Sequence, residues 1–193
     1  SKATAQILTA GPAVVARAMG EQKSKEELGG WRVHTKNGTV DNGADDEIAC
    51  LKEIKKFLSF MPDNIHELAP RLNCEDPVDR KDQMLASIVP RDRRKSFDMR
   101  LVINSIVDRT SFFEIGIGYG RSQITGLARL NGQPVGIWAN NCKFLAGSMT
   151  ADGAKVTIGS YGATGQGGAT ATIDGDVGEV VGHYAVSYTH LTL

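Results

Sequence analysis

Two apolar runs, Ser122 to Leu130 and Gln133 to Ala139, are separated only by Asn131-Gly132. Asn-Gly is the dipeptide that best tolerates the positive φ angles of a tight type I′ turn, so the stretch predicts a β-hairpin. Its second arm, Val135-Gly136-Ile137-Trp138-Ala139, is apolar on both faces, as expected of a strand with protein on either side. That arm runs directly into Asn140-Asn141, so a buried strand delivers two amides to a loop. The loop continues as CKFLAGSM, where Ala146, Gly147 and Ser148 are small enough for the backbone to approach a ligand and present its N–H groups.

With 193 residues the chain holds one full domain or parts of two, long enough to bury a sizeable core. Lys plus Arg equals Asp plus Glu at 22 each, so overall charge gives no argument for nucleic acid or an anionic membrane. The basic cluster Arg91, Arg93, Arg94 and Lys95 reads as a solvated turn. Three scattered cysteines, Cys50, Cys74 and Cys142, suit a reducing compartment better than a disulfide framework. No apolar run approaches a membrane span and the N-terminus lacks a signal-peptide pattern, which places the protein in the cytoplasm, or in the matrix if it is mitochondrial. The opening SKATAQILTAGP reads as the middle of a domain, so a fragment is expected.

Before the hairpin, Gly11-Pro12 followed by AVVARAMG reads as a helix start. Ser24 with Glu27 forms a capping-box pattern, and Gly29-Gly30 can end so short a helix. Asp45-Asp46-Glu47 opens a longer helix with Ile48, Leu51, Ile54 and Leu58 at helical spacing, basic toward its end and stopped by Pro62. Met61 to Arg80 loses hydrophobic periodicity and reads as a linker. Asp98 then caps a helix carrying Met99, Val102, Ile103 and Ile106. Beyond Ala154 the chain turns rich in Gly and Thr, with β-like runs expected at Val156 to Ile158 and at Ala169 to Ile173. The final SYTHLTL reads as translated non-native sequence.

The usual chemical motifs are missing: there is no HExxH, CxxC pair, GxSxG elbow or Walker loop. Gly116, Gly118 and Gly120 give G-x-G-x-G, which fails the dinucleotide fingerprint at Gln123.

The order FFEI, YG, GLARLNGQPVGIWANN and LAGSMTADGA resembles the opening of the C-terminal domain in carboxyltransferase (β) subunits of biotin-dependent acyl-CoA carboxylases, of the propionyl-CoA and acetyl-CoA type. Upstream, GPAVVARAMGE, EELGGWRVHTKNGTVDN and SIVPRDRRKSFDMR fall in the same family order, so the resemblance covers about Lys2 to Ala154. It implies an α/β, crotonase-like (ClpP/crotonase) carboxyltransferase fold, incomplete, with parts of two such domains. Residues 1–62 would end the N-terminal domain, 63–80 form the linker and 81–154 start the C-terminal domain, leaving 155–193 as an unassigned tail. In the family a long helix and a strand follow this point, and the sequence after Ala154 does not read that way.

The resemblance also explains the chemical emptiness. In such an enzyme carboxybiotin delivers the carboxyl group to the carbon α to a thioester and the ureido nitrogen serves as base, so the protein supplies position and backbone N–H donors that leave no side-chain signature. By matching positions, Asn140, Asn141, Ala146 and Gly147 are implied to line the biotin side, with Tyr119 and Gly120 as further candidates. Gly29, Gly30 and His34 are implied on the acyl-CoA side. The alternative is that the asparagines turn the chain, Gly29-Gly30 is a helix cap, and His34 is a packing histidine. Biotin on a carrier and an acyl-CoA substrate are implied, with no metal in this chain. Biotin carboxyl carrier and biotin carboxylase subunits and further copies of the subunit would be partners.

The Gly-Gly-Ala type loops of the family are absent from this chain, so it is expected to be inactive alone. Two other readings stay open: a biotin-dependent decarboxylase subunit of the glutaconyl-CoA type, and a catalytically inactive fragment or binding module, which a compact tail packed on the hairpin would favour. A hydratase is disfavoured, because no pair of glutamates sits on facing loops.

Overall fold

The computed structural model describes residues 1–2, 4–64, 66–92, 94–164, 169–173 and 180–183, with side chains through residue 157. The described elements are α1 (Pro12–Met19), α2 (Lys25–Gly29), α3 (Trp31–Asn37), α4 (Glu47–Leu58), α5 (Leu85–Ile88), α6 (Met99–Ile106), β1 (Phe113–Ile115), β2 (Gln123–Leu130), β3 (Gln133–Asn140), a 3-10 turn (Leu145–Gly147), α7 (Ala151–Thr164), β4 (Ala169–Ile173) and β5 (Val180–His183).

Helices α2, α4 and α6 start where their caps predict. Ser24 and Glu27 close a reciprocal capping box on α2. The Asp46 carboxylate accepts from the Ala49 N–H at 2.6 Å at the head of α4, and Asp98 accepts from the Arg100 N–H at 3.1 Å at the head of α6. Gly30 ends α2 and at once begins α3, which places His34 on a helix. That helix lacks a capping side chain and was not legible as one.

β2 and β3 pair antiparallel from Gln123↔Asn140 to Leu130↔Gln133. The turn between them places Asn131 at φ 50° and Gly132 at φ 77°, as its sequence predicts. Asp108 clamps this turn, one carboxylate oxygen accepting from the Asn131 N–H at 2.8 Å and the other from the Gly132 N–H at 2.7 Å. Both arms are buried on both faces for most of their length. On one face Ile124, Ala128, Val135, Ile137 and Ala139 pack against Met99, Val102 and Ile103 of α6. On the other, Leu127 and Ile115 pack against Phe60 just beyond α4. The alternation follows from the two-residue period of a strand.

The linker carries no helix or strand among its described residues, yet it is strapped to the hairpin: the Leu72 N–H donates to the Gly132 carbonyl at 3.1 Å. Basic residues Arg91, Arg94 and Lys95 lie in a turn organised by Asp92, while Arg93 falls outside the described residues. Ile48, Leu51 and Leu58 of α4 remain more than half exposed, so the amphipathic face read from the sequence is only partly covered within this chain.

Beyond Ala154 the structure corrects two expectations. Val156 to Ile158 lies within α7 and is not a strand, and the chain does continue as a helix followed by a strand. β4 pairs parallel with β3, from Val135↔Ala169 to Ala139↔Ile173, and a parallel neighbour requires a crossover, which α7 provides. The β-branched residues and glycines of this stretch disfavour helix intrinsically; packing overrides them. The Thr150 hydroxyl accepts from the Gly153 N–H at 3.0 Å, and Val156 and Thr157 are buried. The strand expected at Ala169 to Ile173 is β4, which pairs antiparallel with β5 on its other edge. SYTHLTL, residues 187–193, lies outside the described residues.

Candidate functional site

The hairpin is open at the Gln123↔Asn140 end, where β3 enters the loop. Asn141 is 5% exposed and committed to holding that loop. Its backbone N–H donates to the Ser122 carbonyl at 2.8 Å, its Nδ2 to the Arg121 carbonyl at 2.8 Å, and its Oδ1 accepts from the Lys143 N–H at 3.3 Å. Its carboxamide therefore ties the start of the loop to the segment before β2. Cys142 is tied to the segment before α6, its Sγ accepting from the Phe97 N–H at 3.3 Å and donating to the Phe97 carbonyl at 3.1 Å.

The loop then makes a feature with no sequence signal. Leu145 (φ 48°), Ala146 (φ 54°) and Gly147 (φ 76°) are left-handed in succession. For Leu and Ala this conformation costs roughly 1–2 kcal/mol each. The turn is closed by the Gly147 N–H to the Phe144 carbonyl at 2.9 Å and the Ser148 N–H to the Leu145 carbonyl at 3.0 Å. The N–H groups of Leu145 and Ala146 meet no acceptor among the described residues, and both residues are exposed. Successive free N–H groups in a turn are the arrangement that binds anionic or strongly polar oxygen. A Cβ on Gly147 would lie 3.1 Å from the Cβ of Asn140, so the turn folds back closely onto the half-buried Asn140. The Arg121 guanidinium stacks over the Phe144 ring at 3.7 Å, placing a cation beside the turn. Asn140, Asn141, Ala146 and Gly147 are thus brought together.

Tyr119 and Gly120 face the start of α7. The Tyr119 hydroxyl donates to Asp152 Oδ1 at 2.8 Å, and this hydrogen bond to the carboxylate raises the phenol pKa. Gly120 is left-handed and a Cβ there would meet the Asp152 carbonyl oxygen at 2.6 Å. The Tyr119 ring also covers Gly38 at the end of α3, and it lines a cavity of about 660 Å³ together with Asn42, Ile54, Phe57, Phe113 and Val156.

Gly29, Gly30 and His34 form a separate group around Ile7. Gly29 accepts from the Ile7 N–H at 2.9 Å, and a Cβ on it would strike the Ile7 carbonyl oxygen at 2.0 Å. His34 Nε2 lies 2.8 Å from the same carbonyl, to which it must donate, while its buried Nδ1 has no partner among the described residues. This group meets the hairpin side through Thr35 against Gly118 and Gly38 against Tyr119.

One further cluster escaped the sequence reading. Ligand atoms of Cys74, Asp76 and Asp108 lie within 4.8 Å of one another. Structural donors already account for the carboxylates: Asp108 holds the hairpin turn, and Asp76 accepts from Arg80 and from the Arg109 N–H at 2.9 Å. Among the described residues no helix is long and apolar enough to cross a membrane.

Comparison with known proteins gives the family. The carboxyl transferase domain family matches residues 1–157. The mitochondrial propionyl-CoA carboxylase beta chain of Sus scrofa is 36% identical over 149 residues, covering 77% of this chain and 28% of the relative. The methylmalonyl-CoA decarboxylase subunit alpha of Veillonella parvula is also 36% identical over 149 residues, covering 77% of this chain and 29% of the relative. Among solved structures, a transcarboxylase 12S with hydrolysed methylmalonyl-coenzyme A bound superposes with a TM-score of 0.71 at 35% identity, covering 76% of this chain and 29% of that one. The chain thus spans under a third of the length of these relatives. With 157 of its 193 residues matched by the family and an α/β fold shared with a solved carboxyltransferase, the chain belongs to the carboxyl transferase domain family.

Proposed function

We propose that the chain is part of a biotin-dependent acyl-CoA carboxyltransferase of crotonase-like fold, in which residues 1–62 end one domain, 63–80 link, and 81–154 begin the next. The observation that carries this reading is the left-handed turn Leu145–Gly147, whose Leu145 and Ala146 N–H groups meet no acceptor among the described residues and belong to exposed residues shortly after a buried strand.

A ureido group fits such a site because its oxygen is an acceptor and the turn offers two successive N–H donors. Biotin, when bound, supplies the carboxyl carrier and the base. The chain's own residues orient and polarise: the Leu145 and Ala146 N–H groups hold the ureido oxygen, Asn140 borders it, and Asn141 keeps the loop in place. Donors fixed before binding stabilise developing negative charge without reorganisation, an effect worth roughly 3–4 kcal/mol per donor in enzymes of this kind. Tyr119 and Gly120 seat the helix behind the loop. Gly29, Gly30 and His34 belong to the acyl-CoA side through close backbone approach, since the His34 Nε2 proton is already committed to Ile7.

The remaining donors come from parts of the subunit outside this sequence and from a second copy, so the chain alone turns over no acyl-CoA. Biotin carboxyl carrier and biotin carboxylase subunits are its partners, and it acts in the cytoplasm or the mitochondrial matrix. The described part of the tail packs on the hairpin, as a binding module would. It does so as the helix and parallel strand that the carboxyltransferase reading also requires.

A decarboxylase subunit is the second reading, supported by the 36% identity to the Veillonella parvula protein. It uses the same transfer in the opposite direction and the same half-site.

Titration of the 15N-labelled chain with biotin methyl ester tests the proposal. The Leu145 and Ala146 amide resonances are expected to shift downfield, and unchanged resonances at both would refute it.

A further inference from the structure

We propose that Gln123 is a positioning residue that locks the left-handed turn from behind. The inference rests on the reading of that turn as the biotin-side donor. Gln123 is the first residue of β2 and pairs with Asn140, the last residue of β3, and it is 4% exposed. Its Nε2 donates to the Gly147 carbonyl at 3.2 Å and its Oε1 accepts from Trp138 Nε1–H at 2.7 Å.

The direction of the carboxamide is determined by chemistry. An indole N–H only donates and a backbone carbonyl only accepts, so the oxygen must face Trp138 and the amino group must face Gly147. The reversed amide would set two donors against each other on one side and two acceptors on the other. Trp138 is thus the reference that aims Gln123, and Gln123 fixes the peptide plane following Gly147. That plane carries the Ser148 N–H, which closes the turn onto the Leu145 carbonyl. Gly153 seals the arrangement from the helix side, since a Cβ there would stand 3.0 Å from Gln123 Cγ. A chain of contacts therefore runs from strand β3 through two side chains to the turn whose Leu145 and Ala146 N–H groups meet no acceptor among the described residues. The carboxamide touches no ligand in this scheme; it acts through the backbone of the turn.

Local order and ligand response are both measurable in the full chain. Amide hydrogen exchange of Gly147 and Ser148 is compared in the wild type, Gln123→Leu, Gln123→Glu and Trp138→Phe, alongside biotin methyl ester titrations. Gln123→Leu removes both hydrogen bonds, and Gln123→Glu keeps the acceptor for Trp138 while losing the donor to Gly147. Both are expected to speed exchange at Gly147 and Ser148 at least tenfold, with no change at Leu130 and Gln133 at the far end of the hairpin. They are expected to weaken biotin methyl ester binding by a similar factor. Trp138→Phe, which leaves the donor to Gly147 in place but frees the amide to reverse, is expected to give a smaller effect of the same kind. It also keeps the test decisive if neither Gln123 variant folds. Unchanged exchange at Gly147 and Ser148 in a folded variant overturns the proposal. Faster exchange together with a wild type that ignores biotin methyl ester sustains the lock and rejects the biotin reading. A wild type that binds biotin methyl ester, with variants that bind it equally well, rejects the positioning role and sustains the biotin reading.

Discussion

The guanidinium of Arg129, 5% exposed on β2, donates to the carbonyl of Ser59 at the end of α4 at 2.6 Å. The same group donates to Pro70 in the linker at 2.7 Å and to Gly132 in the hairpin turn at 2.8 Å, and it stacks 4.9 Å from the Phe60 ring. One cation joins three segments through carbonyls, and burial lowers its pKa from the ordinary arginine value.

Replacing it shows how far the N-terminal portion depends on this joint. Arg129→Met leaves the Ser59 and Pro70 carbonyls without a donor and the Gly132 carbonyl with the Leu72 N–H alone, and is expected to destabilise the chain by about 3 kcal/mol, with Arg129→Lys losing roughly half as much. Urea unfolding followed by Trp fluorescence measures both; a loss under about 0.5 kcal/mol for Arg129→Met contradicts the role.

The pH response of the α6 head follows from Asp98. Its carboxylate is held below the ordinary range chiefly by the hydrogen bond from Lys143 Nζ at 2.9 Å, and also by the Arg100 N–H, against an opposing effect of burial. A depressed folded-state pKa means stability that is present above about pH 4, the unfolded value, and lost as pH falls through the folded value. Between about pH 5 and 3, Asp98→Asn is therefore expected to lose less stability than the wild type. Parallel urea midpoints across that range check it.

Tyr119 should ionise later than an ordinary tyrosine, because its proton is shared with Asp152. In a spectrophotometric titration the wild-type minus Tyr119→Phe difference should show a midpoint above the usual value of about 10. Asp152→Asn should move that midpoint down, and no movement would break the assigned pairing.

Strain in the loop predicts the sign of changes at Ala146. Ala146→Gly removes the left-handed penalty and should raise stability by about 0.5 kcal/mol, while Ala146→Val, β-branched at φ 54°, should lower it by about 1–2 kcal/mol. Thermal unfolding of the two variants reads out opposite shifts.

Much of the scaffold was legible because its determinants are local. Asn131-Gly132, the Ser24–Glu27 box and the Asp46 and Asp98 caps each specify a turn or helix end within a few residues. α7 was not, since Gly153 packs closely on Gln123 and Val156 on Gly116 and Gly120, a surface that no local pattern reveals. At the site, the sequence brought Asn140, Asn141, Ala146 and Gly147 to one loop, and the structure groups them. For Asn141 it left open whether the side chain lines the site or turns the chain, and it did not anticipate that Leu145 and Ala146 adopt glycine-like angles. Backbone N–H groups belong to every residue, so only a fold shows which are free. Gln123 failed the dinucleotide fingerprint and was passed over, although it is buried and hydrogen-bonded to the turn.

The most direct test of the half-site is photo-crosslinking of the chain with a diazirine ester of biotin, mapped by mass spectrometry. The account predicts label concentrated within residues 140–148 and competed by biotin methyl ester. Label that is scattered, or that concentrates at Gly29 to His34, would contradict it.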